Sequence, residues 1–319
     1  MSSDVLHAVT NIFRPASTPA QSIYTLSMLV LAVCGAIFLT VAGVLTYTIV
    51  RFRRPSFDID REPPQVYGSN QIEIAWTVIP VLIVIVLTMA TARVISEVQN
   101  RRPSADAMSI TVVGHQWWWE IRYPALGVVT ANELHVPVSA PARPRPVFLR
   151  LESVDVAHSF WVPQLAGKTD LIPNRSNTMW IEPKVEGVFL GNCAEFCGMQ
   201  HANMLLRVIV ESADEFSKWV SLQRQNARRD HPGEQIFLSL SCINCHAVGG
   251  TAAAGLFGPD LSHLMSRQTL GAGVIPNTPA NLRRWIRDPQ VMKPGNLMPN
   301  MQLSDRELDQ VHSYLLSLR

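Results

Sequence analysis

Cys193-Ala194-Glu195-Phe196-Cys197-Gly198-Met199-Gln200-His201-Ala202-Asn203-Met204 places two thiols, an imidazole and a thioether in one short segment. Soft sulfur donors with imidazole select copper, with methionine as a weak axial ligand. A single blue-copper ion needs one cysteine. Two cysteines separated by three residues can bridge two metals through both sulfurs, and a second imidazole must then come from elsewhere. His158, in Val154-Asp155-Val156-Ala157-His158-Ser159-Phe160, stands at the end of an expected strand and is the candidate. Three other readings stay open: a Cys193–Cys197 disulfide in an oxidising compartment, a Cys2His2 zinc site, and a thioredoxin-like copper chaperone. None of them uses Met204.

Outward from this segment the chain is rich in β-branched and aromatic residues. Residues 109–123, 147–160, 177–181 and 204–210 read as strands, divided by Pro124, Gly127, Pro163, Gly167, Pro173 and Asn174. Short strands at such spacing predict a β-sandwich or barrel. Residues 211–230 read as a polar helical linker, with Trp219 and Leu222 available for packing. Beyond Pro232-Gly233 comes Cys242-Ile243-Asn244-Cys245-His246. Cys-x-x-Cys-His is the attachment signal of c-type haem: two thioethers to the vinyl groups, and an imidazole on the iron. Cys-x-x-Cys alone would also suit a redox or zinc pair. Met292, Met298 and Met301 are candidates for the other axial position. Met298-Pro299 stands shortly before Ser304-x-x-Glu307, a capping-box pattern that starts a last helix, so Met298 is the expected ligand.

Toward the N-terminus, residues 15–50 carry no charge, and neither do residues 74–92. Each run can hold the ~20 apolar residues a membrane span needs. The first lacks a basic n-region and is too long for a typical signal peptide. Arg51, Arg53, Arg54 and Arg61 between the runs place that loop on the cytoplasmic side. Arg93, Arg101 and Arg102 oppose this, but c-type attachment occurs outside the cytoplasmic membrane and decides the orientation. Cys34 reads as a buried small apolar residue. Glu73 at the start of the second run suits either a headgroup-facing acid or a proton-collecting one. Pro80 should bend or loosen the span. Charged residues make up only 16% of the 319-residue chain, and a net charge of +2 gives no argument for nucleic acid as a partner.

Gly114-His115-Gln116-Trp117, the His158 segment, Gly167-Lys168-Thr169-Asp170, Glu73-Ile74-Ala75-Trp76-Thr77 and the segment 193–204 resemble cytochrome c oxidase subunit II, in order, through most of residues 20–220. Residues 232–319 resemble a class I cytochrome c. The resemblance implies a multidomain chain: a two-helix transmembrane hairpin (residues 1–107, spans about 23–50 and 74–92), an all-β cupredoxin domain (108–215), a linker (216–231) and an all-α cytochrome c domain (232–319). It implies a binuclear CuA centre bridged by Cys193 and Cys197, with His158, His201, Met204 and the Glu195 carbonyl completing it. The Glu195 side chain would reach a magnesium ion at the border with subunit I. Trp117 would admit electrons, and Glu73 would stand at a proton-channel mouth. Trp118 departs from the family's usual tyrosine and remains aromatic. Cys242 and Cys245 would carry haem c, with His246 and Met298 axial. The Pro259 carbonyl would accept the other N–H of His246, and the helix opening at Gly233 and Phe237 would cross the last helix near Tyr314 and Leu315. The other histidines, among them His115, His135, His263 and His312, read as packing or surface residues. The implied partners are subunits I and III, a cytochrome c donor and lipid. The expected location is a bacterial inner membrane, with both termini and both redox domains outside. A copper-containing nitric oxide reductase subunit and a copper-delivery protein are the alternatives.

Overall fold

A computed structural model describes residues 11–53, 65, 67–103, 107–140, 144–227 and 230–319. Arg54 and Arg61, counted in the loop charge, lie outside these residues. Two units divide the chain: residues 22–100, and residues 101–319 together with the N-terminal segment up to Gln21.

The smaller unit is built on α1 (Thr18–Arg51) and α2 (Asn70–Gln99). At 1.5 Å per residue these helices rise about 51 and 45 Å, beyond the ~30 Å hydrocarbon thickness. Their apolar surface is largely exposed, as membrane helices require. Helix α2 continues across Pro80. Cys34 is exposed on α1 rather than buried, because α1 turns most of its surface outward.

In the larger unit, β1 (Met108–His115), β2 (Trp118–Tyr123), β3 (Val128–Ala131), β4 (Glu133–Pro137), β5 (Val147–Ser153), β6 (His158–Trp161), β7 (Thr169–Leu171), β8 (Asn177–Ile181), β9 (Gly187–Cys193) and β10 (Leu205–Glu211) form two five-stranded sheets. Their orders are β3-β2-β1-β5-β8 and β4-β10-β9-β6-β7. The β1–β5 and β10–β4 pairs are parallel and the rest antiparallel. Two expected long strands are each two strands. Residues 109–123 turn back at Gln116-Trp117, and residues 147–160 divide near Val154, where β6 joins the opposite sheet. Ile110, Val112, Trp119, Ile121, Leu134, Leu149, Leu151, Leu206 and Val208 fill the space between the sheets. The Tyr123 hydroxyl ties them together, donating to His135 O at 2.9 Å and accepting from His135 N at 2.8 Å.

Helix α3 (Ala213–Gln223) packs on the sandwich through Phe216 and Trp219; Leu222 is exposed and takes no part. His135 stacks on Trp219 with ring centres 4.2 Å apart. After it come α4 (Glu234–Ser239), the short β11 (Thr269–Leu270) and β12 (Ile275–Pro276) ladder, α5 (Pro279–Arg287), α6 (Pro289–Met292) and α7 (Asp305–Leu316). Leu308, Val311 and Leu315 repeat at helical spacing and bury one face of α7. Phe237 of α4 meets Tyr314 of α7 at 5.4 Å between rings. A Cβ at Gly233 would collide with the Gln310 carbonyl, so glycine permits the crossing.

Candidate redox sites

The end of β6, the end of β9 and the loop leading into β10 bring the sulfur and imidazole donors together. His158 Nδ1 lies 3.9 Å from Cys193 Sγ, and Cys193 Sγ lies 3.8 Å from Cys197 Sγ. His201 Nδ1 and Met204 Sδ stand 3.6 and 3.8 Å from Cys197 Sγ. The Glu195 carbonyl is 3.2 Å from Cys193 Sγ. Both cysteines are free thiols, buried with His158 and Met204. Among the described residues, His158, Cys193 and Cys197 are the one such cluster whose ligand atoms all approach within 4.8 Å of one another. Glu195 Oε1 accepts from Phe196 N at 3.2 Å and lies apart from this cluster.

The protons of the thiols agree with a metal-holding role. A hydrogen bond from the Cys197 thiol lowers Cys193 to about 3, and the same bond together with burial pushes Cys197 upward. The opposed shifts favour a shared proton in the pair, and a bound cation would favour its loss. The Asp155 carboxylate fixes the neighbouring ring. It accepts from His158 Nε2 at 2.8 Å, Val156 N at 2.7 Å and Gln116 N at 2.6 Å. That leaves His158 Nδ1 facing Cys193. Burial lowers the His158 imidazole, but Asp155 and Cys193 more than offset it. A Cβ at Gly114 would stand 2.7 Å from His158 Cδ2, which is why the ring needs glycine beneath it.

Trp117 joins this loop to a second site. Its Nε1 donates to Cys197 O at 3.0 Å, and Gln116 Nε2 donates to the same oxygen at 2.7 Å. Gln116, Trp117, Trp118 and Asn132 form part of the wall of a cavity of about 300 Å³. Cys242, Cys245, His246, Met298 and Met301 line the rest with apolar neighbours such as Leu264, Trp285 and Ile286. His246 Nδ1 donates to Pro259 O at 2.7 Å, which leaves Nε2 as the ring's free acceptor. Burial holds this imidazole below its usual value, in the neutral form a metal takes. Arg267, also on the cavity wall, keeps a buried Nε with no hydrogen-bond partner. An apolar cavity with two thiols, a neutral imidazole, two thioethers and an orphaned guanidinium N–H fits a covalent haem with acidic edge groups.

Met301 lines this cavity beside Met298. Met298 is the more firmly placed: its N–H donates to Asn296 Oδ1 and its carbonyl accepts from Gln290 Nε2, both at 2.8 Å. Among the remaining histidines, His115 bonds Glu120 and stacks on Trp118. His263 is held between the Gln225 and Arg319 carbonyls, and His312 meets Pro279 O. Glu73 lies in the first turn of α2, exposed, with Thr77 Oγ1 bonded to its carbonyl. Two residues of this region carried no assignment from sequence. Asp155 had a signal, an Asp three residues before a candidate ligand. Lys293 had none.

The fold and site define a membrane-anchored cupredoxin joined to a c-type cytochrome. Family models match in three stretches: the transmembrane domain of cytochrome c oxidase subunit II (residues 7–94), its periplasmic domain (108–213) and cytochrome c (231–319). Cytochrome c oxidase subunit 2 of Alkalihalophilus pseudofirmus is 36% identical over 96% of this chain and 90% of its own length. That of Bacillus subtilis is 33% identical over 96% and 91%. Among solved structures, the periplasmic domain of subunit II of cytochrome oxidase from Bradyrhizobium japonicum is 30% identical, with a TM-score of 0.35, covering 38% of this chain and 96% of its own. The chain belongs to the cytochrome c oxidase subunit II family, in the form that carries a cytochrome c domain. It is thus part of a haem-copper oxidoreductase with subunit I, and its domains imply CuA and haem c.

Proposed function

We propose that electrons from a cytochrome c donor enter this subunit at covalently bound haem c, pass to CuA, and leave for subunit I, where oxygen reduction is coupled to proton pumping. In this reading Cys193 and Cys197 would hold the copper pair together with His158, His201, Met204 and the Glu195 carbonyl. Cys242 and Cys245 attach the haem, with His246 and Met298 on its iron. When bound, these groups supply reversible one-electron chemistry; the chain supplies their position and surroundings. Trp117 carries the electron between them: the residue lines the cavity and its Nε1 donates to Cys197 O. That one residue borders both sites is the observation that carries the proposal. The Glu195 carboxylate meets magnesium at the subunit I border, and Glu73 collects protons. Both redox domains and both termini lie on the outer side of a bacterial cell membrane, with subunit III and lipid as further partners.

Metal analysis of the purified full-length chain tests this. Two coppers with a mixed-valence spectrum and one haem resistant to acid extraction are expected. One copper with a localised type-1 signal, or zinc in its place, rejects the ligand assignment.

A further inference from the structure

Lys293 is 3% exposed, yet among the described residues its ammonium meets no carboxylate. Its Nζ donates to Trp117 O and Asn203 O, both at 2.8 Å, and to Gly271 O at 3.0 Å. Three carbonyls take all three ammonium protons. Two of them belong to the sandwich, one on the electron-carrying tryptophan and one beside Met204; the third belongs to the haem domain. A buried charge crosses this seam from the other side as well. Glu133, 1% exposed on β4, accepts from Gln268 N and Thr269 N at 2.9 Å and from Thr269 Oγ1 at 3.0 Å. Arg207 reaches Gln268 Oε1 at 3.0 Å, Leu205 N donates to Ala272 O at 3.0 Å, and Gln200 Nε2 donates to Pro294 O.

Charges this buried are costly unless every hydrogen bond is met, so they tolerate one register and penalise its neighbours. A hydrophobic seam of equal area would allow sliding. Here a shift of the haem domain strands an ammonium and a carboxylate together. Gly273 enforces closeness: its φ is +83°, and a Cβ there would stand 2.8 Å from Leu205 Cβ.

We propose that Lys293 and Glu133 are positioning residues that lock the haem domain onto the copper-site loop in a single register, holding the haem cavity against Trp117 for transfer between the two sites. The transfer half rests on the function proposed above; the docking half stands on the hydrogen bonds alone.

Lys293→Met and Glu133→Gln, made in the full-length chain with both cofactors loaded, test the two halves separately. Hydrogen exchange reads the docking at the Leu205, Gln268 and Thr269 amides, with roughly tenfold faster exchange expected in each variant. Haem-to-copper transfer after flash reduction should slow by roughly tenfold or more, with the copper and haem absorption unchanged. If either variant misfolds and loses those spectra, Gly273→Ala, which wedges the seam and leaves both charges in place, should give the same two changes. Unchanged exchange overturns the lock. Faster exchange with unaltered transfer overturns its part in positioning. Absence of haem-to-copper transfer in the unmodified chain rejects the proposed route instead, and leaves the exchange result to decide the docking.

Discussion

The Asp155 carboxylate shows how one unassigned side chain can set the behaviour of a ligand. Its hydrogen bonds from His158, Val156 and Gln116 outweigh burial to hold its carboxyl below the usual range. A carboxylate accepting there favours the tautomer of His158 with Nε2 protonated and Nδ1 free. Asp155→Asn should therefore weaken copper retention by about 10–100-fold, read by competition with a chelator; retention equal to that of the unmodified chain would remove Asp155 from the site. At the haem, Met298 and Met301 share one cavity, and backbone anchoring distinguishes them. Met298→Ala should abolish the methionine-to-iron absorption band and lower the haem potential, since a thioether favours reduced iron. Met301→Ala should leave the band. Survival of the band without Met298 and its loss without Met301 would exchange the two roles.

Among elements, the β1–β2 hairpin carries most of the connections. Its turn residues Gln116 and Trp117 contact the copper-site loop and the cavity, and its strands hold a buried charge group. Glu120 on β2 meets His115 of β1 at 3.0 Å and Arg122 at 2.7 Å. Burial raises the Glu120 carboxyl, but these two partners more than offset it, leaving it below its ordinary value. A carboxyl lowered by folding contributes stability that is complete above its unfolded value and fades as pH falls through the folded one. The sandwich should thus lose stability as pH falls through the carboxylate range, and Glu120→Gln should flatten that part of the profile in denaturant melts taken from pH 7 downward. An unchanged slope would place the acid sensitivity elsewhere. Helix α7 is set by its own sequence: the Ser304–Glu307 capping box forms in both directions.

For the whole molecule, the proposed coupling of electron delivery to proton uptake would draw on groups in both units. Glu73→Gln should slow turnover of the assembled oxidase at saturating donor, while copper and haem content stay intact; turnover equal to the unmodified enzyme would make Glu73 a headgroup-facing acid. The amino-acid sequence determined what depends on local spacing: two charge-free runs long enough to span a membrane, the sulfur and imidazole donors of residues 193–204, the Cys-x-x-Cys-His run and the capped last helix. Such features need only neighbours along the chain, and their chemistry is written in the residue types. Tertiary structure decided what depends on distant pairs. β6 crosses to the other sheet to bring His158 to the cysteines, and Phe216 rather than Leu222 packs α3. Lys293 gives no pattern, because its partners are three backbone carbonyls 176, 90 and 22 residues away. Every residue offers a carbonyl, so only the folded chain selects which of them a buried ammonium will find.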